Sequence, residues 1–359
     1  MTAAERVQAV IDYGFTERQA RFLVLVMRHS GLCVKRQYAA FAGIANGGEK
    51  CNAFFGKLVR RGFAIATDCI HNRAHLYHVH SKPLYHAIGE SDGRYRRTVP
   101  ARAAGERLMR LDAALISPDL EWLTTRFEKL AYVQSRAAAD PGEPREIAPV
   151  GEPDNLAKQF PGTFPIGIDS SGRMVLLFLA TNPWTEDFRT FLIGHTALLS
   201  VTSAWTLRLV FPQSLRRTVV AHQTVVHEEL ESRLDADTIR ELQHYFFHRR
   251  RGTDLTTLPE SLRARLTRYS EVYAGPRFIH LYRRWLTGEQ AAFTPMSSAI
   301  HAALADGRAA VECVVLPHTY DHLFPLVAPQ LSRRRRNTAD AEEGDEAPHG
   351  INPSLNPVP

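Results

Sequence analysis

The stretch EKCNAFFGKLVRRGFAIATDCIHNRAHLYHVHSKPLY, Glu49 to Tyr85, passes from a basic helical run through a glycine into two β-like runs. In the first part Cys51, Phe54, Phe55, Leu58 and Val59 recur at helical spacing. That spacing places them inward on a helix from about Gly48 to Arg61. Lys50, Asn52, Lys57, Arg60 and Arg61 are left facing outward. Gly62 closes the helix. FAIATDCI then reads as a strand, His71-Asn72-Arg73 as the turn, and AHLYHVH as the return strand. Alternation on the return arm is imperfect, because Leu76 and Val79 do not share one face.

Upstream, a first helix spans roughly Ala3 to Tyr13 and stops at Gly14. Thr16 with Gln19 three residues on forms a capping box, in which two side chains satisfy backbone donors at a helix start. Phe22, Leu23, Val26 and Met27 follow at helical spacing, and Gly31 ends that helix. A short third helix, about Lys35 to Ala42, leads into the turn GIANGG. Three helices, a basic fourth and a hairpin are the element order of a winged helix-turn-helix.

The pattern FTERQ…LVLV…YAAFAGI…CNAFFGKLVRRGFAIATD…NRAHLYHVH resembles MarR-like and related winged-helix DNA-binding domains of bacterial regulators and mobile-element proteins. The resemblance covers about residues 12 to 90. In those families a leucine, a short spacer, a glycine and an apolar residue join recognition helix to wing, as Leu58, Gly62 and Phe63 do here. It implies that Lys50, Asn52 and Lys57 reach bases or nearby phosphates from a helix in the major groove, where base edges present a distinct donor and acceptor pattern. Arg60 and Arg61 lie on the same helix. Arg73 at the wing tip is expected against the minor groove or backbone. Lys35, Arg36 and Gln37, at the start of the preceding helix, are expected to clamp phosphates. Arg94, Arg96 and Arg97 of RYRR extend the backbone contacts.

Charge supports the same expectation. The 359 residues carry a formal +6, but residues 50–110 alone hold twelve Lys or Arg against four acids. A basic block within folded, aromatic-containing sequence is the footprint of a polyanion binder. With 44% hydrophobic residues the chain has material for a real core. No apolar run approaches the ~20 residues of a membrane span. The start lacks a basic segment followed by an apolar stretch, so a secretory leader is not expected and the expected location is cytoplasmic. Four scattered cysteines do not make a disulfide framework. Cys33 and Cys51 fall where small core residues are needed, so buried thiols are expected there.

The fold class expected is α+β: a winged helix-turn-helix over 1–90, a helical connector over 91–139, a linker over 140–155 and an α/β domain over 156–330. A disordered tail, 331–359, is expected to follow. In the connector, SPDLEWLTTRFEKLAYVQS reads as a helix capped by Ser117 with Pro118 at its first position. A long helix is expected from Ser214 to Ser232. FPIGIDSSGRMVLLFLAT, Phe164 to Thr181, reads as two strands around Ser170-Ser171-Gly172.

That hairpin is similar to the core hairpin of restriction-endonuclease-like domains, including the one in replication-relaxation proteins, which also carry an N-terminal winged helix. The resemblance implies an acid on one strand and Glu-x-Lys on the next, because two carboxylates hold Mg²⁺ while the lysine assists the attacking water. Asp169 stands for the first acid. The second strand reads Phe178-Leu179-Ala180, so the likeness is to an inactivated copy.

Other constellations offer less. Cys69, His71, His78 and His80 on one hairpin are four N or S donors for a tetrahedral zinc. Their spacing is not that of a finger or ribbon, and wing histidines can simply meet phosphates; no metal is expected. His280 to Arg283, HLYR, with Tyr320 echoes the His-x-x-Arg and nucleophilic tyrosine of tyrosine recombinases, without their further basic residues. No Walker loop, dinucleotide fingerprint, nucleophile elbow or His-Glu-x-x-His appears. The sequence therefore predicts a sequence-specific double-stranded DNA-binding protein, a transcriptional regulator or mobile-element accessory factor. It is expected to be a homodimer without cofactor or catalytic residues, with further proteins of a DNA-bound assembly as possible partners. The alternative is a DNA-processing enzyme, a nuclease, relaxation or integration factor, that the winged helix delivers to DNA.

Overall fold

The computed structural model describes residues 1–44, 48–69, 74–139, 165–231, 234–288, 293 and 298–320. The fold is mixed α+β with two separate sheets. It divides into two compact units, Met1–Leu108 with Tyr320–Pro359, and Met109–Thr319. The expected linker over 140–155 and tail over 331–359 lie outside the described residues.

In the first unit, α1 (Ala3–Ile11) and α2 (Glu17–His29) each open on a capping box. Thr16 and Gln19 are the pair at α2, as the sequence spacing requires. A two-residue strand β1 (Leu32–Cys33), α3 (Lys35–Ala42), α4 (Glu49–Arg60) and the hairpin β2 (Ala64–Asp68) and β3 (His75–Val79) follow. β3 lies between β1 and β2 and is antiparallel to both. Helix α4 buries Cys51, Phe54, Phe55 and Leu58, one stripe at intervals of three and four. Aromatic rings run through the apolar interior: Tyr38 packs on Phe54 at 4.4 Å and Phe55 on Tyr77 at 4.2 Å. Each such ring contributes roughly 1.5–3 kcal/mol through burial. Val59, expected inward, is 40% exposed instead, because it lies beyond the edge of that stripe. Cys33 and Cys51 are fully buried, and burial pushes the Cys33 thiol up.

Two glycines carry backbone shapes that other residues resist. Gly62, with φ 67°, ends α4: its amide and that of Phe63 donate to the Val59 and Leu58 carbonyls. Gly31, with φ 69°, lies against the segment after α5 (Lys82–Ala87), where an added Cβ would fall 2.1 Å from the Tyr95 carbonyl oxygen. Tyr95 is itself buried, in a single 3₁₀ turn, Arg94–Arg96.

The division between the units falls within α6 (Ala101–Leu115). The expected helix from Pro118 does not form. Glu121–Leu123 is strand β4, and α7 (Arg126–Ala139) starts later, where Thr125 and Glu128 cap each other's backbone at 3.0 and 3.1 Å. Pairing with β5 (Ile166–Ile168) captures Trp122 and Leu123 before a helix can include them. The sheet continues through β6 (Met174–Leu179), β7 (Trp205–Phe211) and β8 (Ala309–Val315) in chain order. β5 is antiparallel to both neighbours, while β6, β7 and β8 run parallel. β7 is buried on both faces, as parallel strands covered by helices require.

Helices α8 (Glu186–Gly194) and α9 (Thr196–Val201) link β6 to β7. The expected long helix from Ser214 is broken: a 3₁₀ turn (Gln213–Thr218), α10 (Val219–Val226) and a π-helical turn (His227–Glu231) replace it. The π turn presents Glu228 and Glu229 side by side to the buried guanidinium of Arg189, which bonds both; Arg277 approaches Glu229 at 3.8 Å. Removing one partner from such a buried set costs about 3–5 kcal/mol. Three helices, α11 (Ala236–Arg250), α12 (Glu260–Val272) and α13 (Pro276–Leu286), enclose a second apolar cluster around Phe246, Tyr269 and Leu281. Helix α14 (Ser298–Ala305) precedes β8. Among the described residues no helix is long and apolar enough to cross a membrane.

Candidate nucleic-acid interface

Helix α4 turns Cys51, Phe54, Phe55 and Leu58 to the core. At 100° per residue, Asn52, Ala53, Gly56 and Arg60 therefore fall on the opposite side. Asn52, Ala53 and Arg60 are exposed. Two small residues between two long polar ones leave a face that a groove can approach closely. Asn52 is held in place from α3: the Lys35 ammonium donates to Asn52 Oδ1 at 2.8 Å. An ammonium has only donors, so the amide oxygen faces Lys35 and the amide nitrogen points elsewhere. Among the described residues Lys50, Arg60 and Arg97 are exposed, and their side chains form no hydrogen bond or ion pair.

Four of the sequence-predicted contacts have other work. Gln37 is fully buried, its Oε1 accepting the Val34 amide and its Nε2 donating to the Leu108 carbonyl, both at 3.0 Å. It caps α3 from inside and cannot clamp a phosphate. Lys57 donates to the Gly14 carbonyl and sits 5.0 Å above the Phe15 ring. One turn on, Arg61 donates to the Tyr13 carbonyl and lies 6.0 Å from Phe63. The pair latches the end of α4 to the Tyr13–Phe15 turn, so Lys57 does not share the outward face with Asn52. Arg36 lies 5.7 Å from the centre of the buried Tyr320 ring.

The RYRR segment divides in the same way. Arg94 stacks on Tyr95 at 4.6 Å and bonds its hydroxyl, and Arg96 is half-buried, whereas Arg97 is exposed. Arg73 and His71 lie outside the described residues.

The histidines of the hairpin point to different partners. The His75 Nδ1 atom is 2.7 Å from the Asp68 carboxylate, while His78 Nε2 faces the Tyr95 carbonyl at 3.3 Å. Burial lowers the His78 pKa, which favours the neutral ring. Among the described residues no three His, Cys, Asp or Glu are placed to hold a metal ion. Asp169 is engaged in its own turn, where Oδ1 accepts from the Ser171 amide and hydroxyl and the Arg173 amide at 2.6–2.9 Å. The facing strand β6 supplies no acid or lysine.

Comparison of the chain with known protein families, curated proteins and solved structures gave no match.

Sequence spacing located α4 but missed the Lys35–Asn52 bond and the two latches, since each joins residues at least seventeen positions apart. The small pair Ala53 and Gly56, with Gly56 four residues from both Asn52 and Arg60, was the available signal for a close-approach face.

Proposed function

We propose that the protein is a sequence-specific double-stranded DNA-binding protein whose first unit acts as a winged helix-turn-helix. The observation that carries this reading is the outward side of α4, where the anchored Asn52 and the unpaired Arg60 flank Ala53 and Gly56. α3 and α4 supply the two helices of the turn, and β2 with β3 supplies the wing. An asparagine whose amide is oriented by a neighbour is suited to adenine, which pairs with it through two hydrogen bonds. Lys50, Arg60 and Arg97 are the open cations for phosphates, which position a protein without carrying sequence information directly. A two-fold dimer would match a palindromic operator, with half-sites about one helical turn apart. The role expected is that of a transcriptional regulator or a mobile-element accessory factor. The second unit, whose β5–β6 hairpin carries the likeness to replication-relaxation proteins, would serve assembly rather than chemistry.

The test is a salt series on duplex DNA. Each phosphate contact contributes about −0.9 to the slope of log affinity against log salt, so Lys50→Ala and Arg60→Ala should each flatten it by about one. A wild-type slope near zero refutes the reading.

A further inference from the structure

The helices between β7 and β8 hold a surface that duplex binding by the first unit does not use. Residues 234–288 contain ten arginines, six carboxylates and no lysine, so every side-chain cation apart from histidine is a planar guanidinium. Four of the carboxylates are engaged locally. Asp235 and Asp254 cap the Thr238 and Thr256 amides, Asp237 pairs with Arg240, and Glu241 accepts the Tyr273 hydroxyl at 2.6 Å.

Three consecutive arginines at the end of α11 are exposed and, among the described residues, have no carboxylate partner. They lie instead over aromatic rings: Arg249 is 4.3 Å from the centre of Tyr282, Arg250 5.9 Å from Trp285, and Arg251 4.2 Å from Phe247. Tyr282 and Trp285 on α13 are themselves stacked, with 21° between their planes. The helix dipole alone favours a cation in the last turn by about 0.3–1 kcal/mol, but it does not require ring stacking on a second helix.

We propose that this arginine-aromatic surface binds a single strand of nucleic acid. A guanidinium resting on a ring keeps its N–H edge free for phosphate oxygens and its outer face free for a base. A single strand presents both, a phosphate and an open base face, at every nucleotide. A duplex hides its base faces in the stack. A lipid surface matches less well, because Tyr282 and Trp285 are half-buried beneath the guanidinia and, of the three rings, only Phe247 is exposed. The proposal is independent of the first unit's reading.

Fluorescence anisotropy of the full-length protein tests it, with labelled oligothymidylate of about 20 nucleotides, a duplex of the same length, and vesicles containing phosphatidylserine. The wild type should bind the single strand, and the double variant Arg249→Gln, Arg250→Gln should bind it ~10-fold or more weakly. The double variant Arg249→Lys, Arg250→Lys keeps the charge but not the planes, and should lose about threefold or more. Duplex binding should be unchanged in both, and Lys50→Ala should leave oligothymidylate binding unchanged. Absent single-strand binding overturns the proposal. So does equal affinity in the wild type and the lysine variant, a parallel loss on the duplex, or binding to vesicles in place of oligothymidylate.

Discussion

Replacing Gln37 by alanine separates a structural role from a DNA-contacting one at a residue that the sequence assigned to phosphate. Its amide bridges the Val34 backbone at the start of α3 and the Leu108 carbonyl in α6. Val34 has no other cap, since its own side chain is apolar. Truncation leaves the buried Val34 amide without its acceptor, which costs about 1–3 kcal/mol. The lost methylene contact adds about 0.8 kcal/mol. The sum is about 2–4 kcal/mol, equivalent to a drop on the order of 10 °C in the melting of a unit of this size. All four tryptophans, Trp122, Trp184, Trp205 and Trp285, belong to the second unit, so their fluorescence does not report this change. Hydrogen exchange on peptides covering 32–42 does, and it avoids treating a two-unit chain as two-state. Exchange there should accelerate strongly, while duplex affinity at a temperature where the variant is folded should stay within about twofold of wild type. Unchanged exchange together with a tenfold loss of affinity would refute the placement of Gln37 inside the fold.

Asn52→Ala should weaken a cognate duplex by ~1–3 kcal/mol relative to a scrambled one at fixed salt; an unchanged ratio means that α4 does not read bases at that position. His222 has no exposure and lies among Phe178, Phe188 and Phe211, and burial lowers its pKa. The unfolded chain, with an ordinary value near 6.5, then binds more protons, so second-unit stability should be flat above about pH 6.5 and fall as the pH drops toward 5. His222→Gln should flatten that fall in melts followed by tryptophan fluorescence, and an identical pH profile would count against it. Supercoiled plasmid incubated with Mg²⁺ should stay supercoiled, because Asp169 is occupied by its turn; nicking that disappears in Asp169→Ala or Tyr320→Phe would establish the enzymatic alternative.

What was legible in the sequence had a local physical cause. The Thr16–Gln19 box, the stripe of α4 and the stop at Gly62 each depend on residues within one or two turns. The sequence pointed to a helix capped at Ser117, whereas α7 is capped later, by Thr125 and Glu128. Pairing of Trp122 with Gly167 across β4 and β5 decided for the later cap. The π turn is likewise a tertiary result, since Glu228 and Glu229 face one buried guanidinium on a different helix. Polar residues were the hardest to place. Gln37 looked like a phosphate contact because it follows Lys35 and Arg36, and only its bond to Leu108, 71 positions away, shows it facing inward.

The same distinction bears on the proposed contact with DNA. A count over residues 50–110 treats every cation alike, yet the first unit uses them differently. Lys57 and Arg61 each hold a backbone carbonyl through a charge-assisted bond at the surface. Recruiting either to a phosphate breaks that bond and frees α4 from the turn beneath it, so the exchange gains little. Lys50, Arg60 and Arg97 have no such tie among the described residues, and for them a phosphate is a net gain. The salt slope should therefore reflect the open cations rather than the local total. Lys57→Ala should accordingly loosen the end of α4 more than it flattens the slope.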